Sequence, residues 1–198
     1  LMMNCGAIIS GNRSLGSWIN YGLGSINDNL PGYVVMLDPT GGPISGAKNW
    51  SSGYMPATYQ GTLFRSQGVP ILDLRSFRNI SKGQQQMLLE ELLRLNVTHL
   101  SERADNLDLK ARIASYELAY KMQVAAPEAV DIDSEPDHVK KMYGLDQERT
   151  ANFARKCILG RRLVERGVRV VQLSHSISGY DIAWDTGHGN IVDGHREL

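Results

Sequence analysis

The chain has 198 residues, balances 21 Lys and Arg against 21 Asp and Glu, and is 42% hydrophobic. A net charge of zero supplies no field to recruit nucleic acid or an anionic membrane, and this length suffices to bury a substantial core. No apolar run reaches the 18 or so residues that a membrane span needs.

The chain opens Leu1-Met2-Met3-Asn4-Cys5, without a basic n-region or a Met at position 1. It therefore reads as an internal fragment of a longer protein rather than as a signal peptide. Residues 1–32 are rich in Gly, Ser and Asn, with one short helix expected around Leu15 to Gly22. Ser14, Ser17 and Ser25 lie here, but no G-x-S-x-G elbow frames a nucleophile. Tyr33-Val34-Val35-Met36-Leu37 is a compact apolar run, entered through Pro31-Gly32 and left through Asp38-Pro39, as a buried strand would be. From Thr40 to Arg75 the chain reads as a long irregular excursion, the kind that is usually functional or tied down by a surface. Within it, Val69 to Leu74 has the pattern of a short edge strand with Pro70 at its start.

The middle is helical. Ser81 is the expected N-cap of a helix running to about Glu102, and a second helix spans about Leu107 to Ala126 with Pro127 ending it. Ser134 is the expected cap of a short third helix with Pro136 in its first turn, stopping near Gly144. A fourth, from about Arg149 to Arg166, ends at Gly167 and feeds the strand Val168 to Leu173. Arg155, Lys156, Arg161 and Arg162 are expected on the solvated face of this fourth helix, and His99 and His138 on the surface. Cys5 and Cys157 read as small buried hydrophobes and do not reveal the redox compartment. Two strands cannot form a stable sheet, so further strands are expected from outside the fragment.

Beyond the last strand come His175, then Trp184-Asp185, His188 and His195. In open α/β sheets ligands bind past the carboxyl ends of strands, where this segment falls. Asp with His suits a borderline divalent ion such as Zn²⁺, Mn²⁺ or Fe²⁺. Asp185, His188 and His195 are therefore the candidate metal ligands, with solvent-exposed histidines as the competing reading. His175, at the strand end, is a candidate for the substrate side or a hydrogen-bonding partner. Asn49 and Trp50, an aromatic beside a polar group among small residues, are candidates for contacting substrate, with core packing as the alternative.

Several segments together resemble a known family. They are Ser14-Leu15-Gly16-Ser17-Trp18-Ile19-Asn20-Tyr21-Gly22, Gly46-Ala47-Lys48-Asn49-Trp50-Ser51-Ser52-Gly53, Tyr59-Gln60-Gly61-Thr62, Ala111 to Ala119, Ala125 to Ala129, and Trp184-Asp185 with a nearby His. The chain is similar to the bacterial domain-of-unknown-function 1501 family, sulfatase-like and grouped with the alkaline phosphatase and sulfatase superfamily. The resemblance implies an α/β fold: an alkaline-phosphatase-like sheet flanked by helices, with residues 1–198 one incomplete domain that has a long irregular N-terminal region and a helical middle. It also implies a metal-dependent hydrolase of sulfate or phosphate esters, acting on a small-molecule or polysaccharide ester, with a divalent ion (Zn, Mn, Mg or Ca) and an exported or periplasmic location. The rival is a non-catalytic cell-envelope binding or scaffold protein that keeps the fold. On the hydrolase expectation Asp185 and His188 bind metal, while His195 and His175 are secondary ligands or orient the ester oxyanion. No catalytic nucleophile is identified, and the fragment by itself is not expected to be active. Members usually carry Trp-Asp-x-His; here Gly187 lengthens the motif by one residue.

Overall fold

A computed structural model describes residues 1–39, 41–43, 45–71, 80–148 and 150–175. The fold is α/β, with three parallel strands between helical layers. A four-residue helix α1 (Met2–Cys5) precedes α2 (Leu15–Leu23), which Ser14 caps by accepting from the Ser17 amide at 3.3 Å. Strand β1 (Tyr33–Met36) follows, then 3-10 turns at Gly46–Trp50 and Ala57–Tyr59, then β2 (Thr62–Phe64). Next come α3 (Lys82–Ser101), α4 (Leu107–Ala129), α5 (Asp137–Met142), α6 (Ala151–Glu165) and β3 (Val170–Leu173).

The strand order is β2-β1-β3. Val34 pairs with Thr62 on one side of β1 and with Val171 on the other, both in parallel. All four β1 side chains are buried, as expected of a parallel strand covered on both faces. Val34 and Met36 face a core of Phe64, Met122, Ala126, Ile158, Leu159 and Leu163 contributed by β2, α4 and α6. Each of the large fully buried aliphatic side chains here contributes about 1.5–3 kcal/mol by leaving water. Tyr33 and Val35 face the other way, onto Trp50. Close approach on that side requires glycine: a Cβ at Gly16 of α2 would sit 2.3 Å from the Tyr33 ring, and one at Gly61 would sit 2.7 Å from Val35.

Four expectations need correction. The third strand lies inside the chain, at Thr62–Phe64, within the stretch read as irregular; it is only three residues long, too short for periodicity to register. Residues 69–71 form bends, because the Arg65 amide bonds back to the Pro70 carbonyl at 2.8 Å, and residues 72–74 lie outside the described residues. Pro127 does not end α4, which continues to Ala129. Proline inside a helix costs about 3 kcal/mol, offset here because Ala126 and Ala129 are fully buried and Arg162 holds the terminal carbonyls of Glu128 and Ala129 at 2.7 and 3.1 Å. Before α5, Ser134 donates to the Asp131 carbonyl at 2.7 Å instead of capping, and Pro136 takes the N-cap position.

Candidate functional site

All three strands run in one direction, so their exits share one edge of the sheet. From β1 the chain passes through Leu37 to Asp38, from β2 to Arg65 and Ser66, and from β3 to Ser174 and His175. The Ser174 amide bonds the Met36 carbonyl at 2.8 Å, which carries the β1–β3 pairing past the strands proper. The first turns of α6 lie along this edge: Asn152 accepts from the Gln67 amide at 2.9 Å, and the Phe153 ring lies 4.9 Å from that of His175.

At the centre is Lys156. Its side chain is fully buried, and its ammonium donates to Asp38 Oδ2 at 2.8 Å and to the Ser174 carbonyl at 2.7 Å. His175 Nδ1 lies 3.5 Å from the same carboxylate oxygen. One carboxylate thus gathers an ammonium from a helix and an imidazole from the neighbouring strand's exit. Desolvating two charges costs several kcal/mol each, which the close pairing and the second hydrogen bond of the ammonium, to Ser174, offset. Both neighbours of β1 follow it in sequence, β2 on one flank and β3 on the other, so the strand order reverses between β1 and β3, and such a switch point is where open parallel sheets bind ligands.

His175 therefore sits at the sheet edge as expected, while Asp38 and Lys156 were missed. Asp38 was legible, since it directly follows the apolar run of β1. Lys156 was legible too: it lies three and seven positions before Leu159 and Leu163, on the apolar face of α6. The expected solvated face is accordingly corrected, because Lys156 and Arg162 are buried. Asn49 and Trp50 both face inward, 1% and 6% exposed. Asn49 donates to the Gly46 carbonyl at 3.0 Å and accepts from Asn4 at 3.3 Å, and Trp50 packs on Tyr33 and Val35. Asp185, His188 and His195 lie outside the described residues. Ser14 and Ser17 are fully buried and bond each other at 2.8 Å. Both thiols are free and half-buried; burial pushes Cys5 and Cys157 up, against a lowering field from Lys156 at Cys157, and such thiols are poor nucleophiles.

No three His, Cys, Asp or Glu side chains among the described residues are placed to hold a metal ion. Asp38 and His175 offer two donors, and the Lys156 ammonium already balances the carboxylate. These residues alone do not fit a metal centre. A separate open groove of about 850 Å³ runs between the Ala57–Tyr59 turn and the first half of α4, lined by Thr58, Gln60, Asp108 and Arg112 among others, with none of the sheet-edge cluster in it.

The fold and this edge define an α/β protein that gathers its polar chemistry where parallel strands end. The family model described as Protein of unknown function (DUF1501) matches residues 1–198, so the chain belongs to that family. Neither a curated protein nor a solved structure matches it.

Proposed function

We propose that the chain is part of a metal-dependent hydrolase of sulfate or phosphate esters, related to the alkaline phosphatase and sulfatase superfamily. The observation that carries this is the Asp38–Lys156–His175 cluster at the switch point of a parallel sheet, on the strand exit that leads in sequence to Asp185, His188 and His195. Those three residues would hold a divalent ion, whose Lewis acidity polarises an ester and acidifies a hydroxyl or water. Asp38, fixed by Lys156, orients the His175 ring, which hydrogen-bonds an oxyanion of the sulfate or phosphate group. Lys156 neutralises the Asp38 carboxylate, so the edge presents no bare negative charge to this anion.

Metal analysis of the purified full-length protein that contains this chain, beside Asp185→Ala and His188→Ala, is the test. Bound divalent metal in the parent, lost in both variants together with turnover of aryl sulfates or phosphates, is the expected result. Metal content unchanged in both variants would overturn the ligand assignment.

A second reading, a non-catalytic cell-envelope binding or scaffold protein, has one observation in its favour. Helix α3 has no buried residue among those described and exposes Met87, Leu88, Leu92 and Leu95. Contiguous exposed apolar surface usually marks an interaction site. Turnover dependent on Asp185 and His188 would exclude this reading.

A further inference from the structure

A surface independent of the sheet edge also carries a ligand signature. Arg13 lies between two aromatic rings, its guanidinium carbon 3.1 Å from the Tyr54 centroid and 4.4 Å from that of Trp18. Trp18 meets Tyr21 edge-on at 6.3 Å, and Tyr21 meets Tyr59 at 5.2 Å. The four rings form one continuous strip, and three of them face solvent: Tyr54 is 72% exposed, Tyr21 55% and Trp18 48%.

The strip is held in place from below. Ser14 bonds the Ser51 carbonyl through its amide at 3.0 Å, and Ser17 bonds it through its hydroxyl at 3.1 Å. Gly53 turns at φ +57° against the chain at Gly11 to Arg13, so closely that a Cβ would sit 2.6 Å from the Gly11 carbonyl. Tyr54 is thereby brought to Arg13.

At Arg13 itself the charge is unbalanced. Among the described residues the Arg13 guanidinium has neither a hydrogen-bond nor a carboxylate partner, and its buried Nε is unsatisfied. Residues 1–71 contain only two acidic side chains, Asp28 and Asp38, and Asp38 is taken by Lys156. A cation stacked between rings, without a counter-charge, is prepared for an anion.

We infer that Tyr54, Arg13, Trp18, Tyr21 and Tyr59 bind an acidic polysaccharide strand, its sugar faces on the rings and a sulfate or carboxylate on Arg13. A single cation among several ring faces suits a chain held mainly through its sugar faces, with one acidic group on the arginine. Nucleic acid would instead call for a basic track along the backbone, and acidic peptides are ordinarily read by clusters of arginines. The inference deepens the hydrolase reading by naming the carrier of the ester, and rests on that reading only for this link.

Affinity electrophoresis of the purified protein through gels containing dextran sulfate, polygalacturonate or neutral dextran tests it without any turnover. Retention is expected in one or both acidic gels and not in dextran, the two acidic arms distinguishing sulfate from carboxylate. Trp18→Ala, Tyr54→Ala and Arg13→Gln should each weaken it roughly tenfold, equivalent to about 1.4 kcal/mol. Tyr116→Ala, which removes an exposed ring from α4, should leave it unchanged. Absence of retention, equal retention in dextran, or indifference to the three substitutions overturns the inference. Stronger binding of poly-glutamate or single-stranded DNA through the same residues overturns it in favour of those partners. Because only binding is read, failure here leaves the hydrolase reading standing, and failure of the metal test leaves this one.

Discussion

Taking an ammonium group out of water is expensive, and Lys156 does so between β1 and β3 with Asp38 and the Ser174 carbonyl as compensation. Removing one partner strands the other charge, so Lys156→Met should cost about 3–5 kcal/mol. Adding Asp38→Asn should recover much of that loss, and urea denaturation of the two single variants and the double variant measures both effects. Additive losses would mean that the two groups do not act as a pair. Tyr33 makes a different demand. Burial pushes its hydroxyl up to about 12, against a lowering hydrogen bond from Ser14 and with a small raising influence from Cys5. The unfolded phenol ionises near 10. Stability due to Tyr33 is therefore complete below about pH 10 and is lost as pH rises toward 12, because the unfolded chain releases the proton first. Tyr33→Phe should flatten the alkaline limb of a stability–pH profile. At this scale the sequence was half legible. The position of His175 at a strand end was readable, whereas the pairing of Asp38 with Lys156, 118 positions away in the chain, is something that residue spacing does not report.

Helix α2 approaches the sheet on a glycine and can be tested within itself. Gly16→Ala would drive a methyl into the Tyr33 ring and should cost about 1–3 kcal/mol, as overpacking does. Gly22→Ala, six positions on, meets nothing within 4 Å and should stabilise the helix by roughly 0.5–1 kcal/mol. Equal effects at the two positions would mean that α2 does not lie on Tyr33. The joint between α4, α5 and α6 is ionic. Glu135 is bonded by Arg162 and lies 2.5 Å from Arg161, and these guanidiniums hold its carboxyl below the usual range. Its contribution is present above the unfolded carboxylate value and is lost only as pH falls through the depressed one, so Glu135→Gln should unfold at a less acidic pH than the parent in a circular-dichroism titration. Helices α2, α3, α4 and α6 were each legible to within a few residues, because caps such as Ser81, reciprocated by Gln84, are local. What misled was chemistry with a distant answer: Pro127 reads as a stop until Arg162 is seen holding the carbonyls beyond it.

For the molecule as a whole, α3 and α6 make the clearest contrast. Leu163→Ala, in the core, should cost about 2–5 kcal/mol. Leu92→Gln, on the open face of α3, should change stability by no more than about 0.5 kcal/mol if nothing covers that face. A large loss at Leu92 in the purified protein would reveal a partner already seated there. The α/β class was expected from the family resemblance and from a helix feeding a strand across Gly167, and the buried central strand from its apolar run. The third described strand was not, because β2 is too short to announce itself and only its pairing with β1 makes it a strand.

That central strand sets the order in which the protein can assemble. One flank of β1 is closed early, by β2 from the same N-terminal stretch; the other waits for β3, as the contact between Tyr33 and Gln172 across 139 positions makes plain. Contacts so remote in sequence form slowly, because a long loop must close before anything repays it. During synthesis Tyr33 to Met36 would emerge from the ribosome with one edge bare and remain so until the helices and the last strand had followed. Truncation before residue 170 should therefore make the product more prone to aggregate than the 198-residue chain.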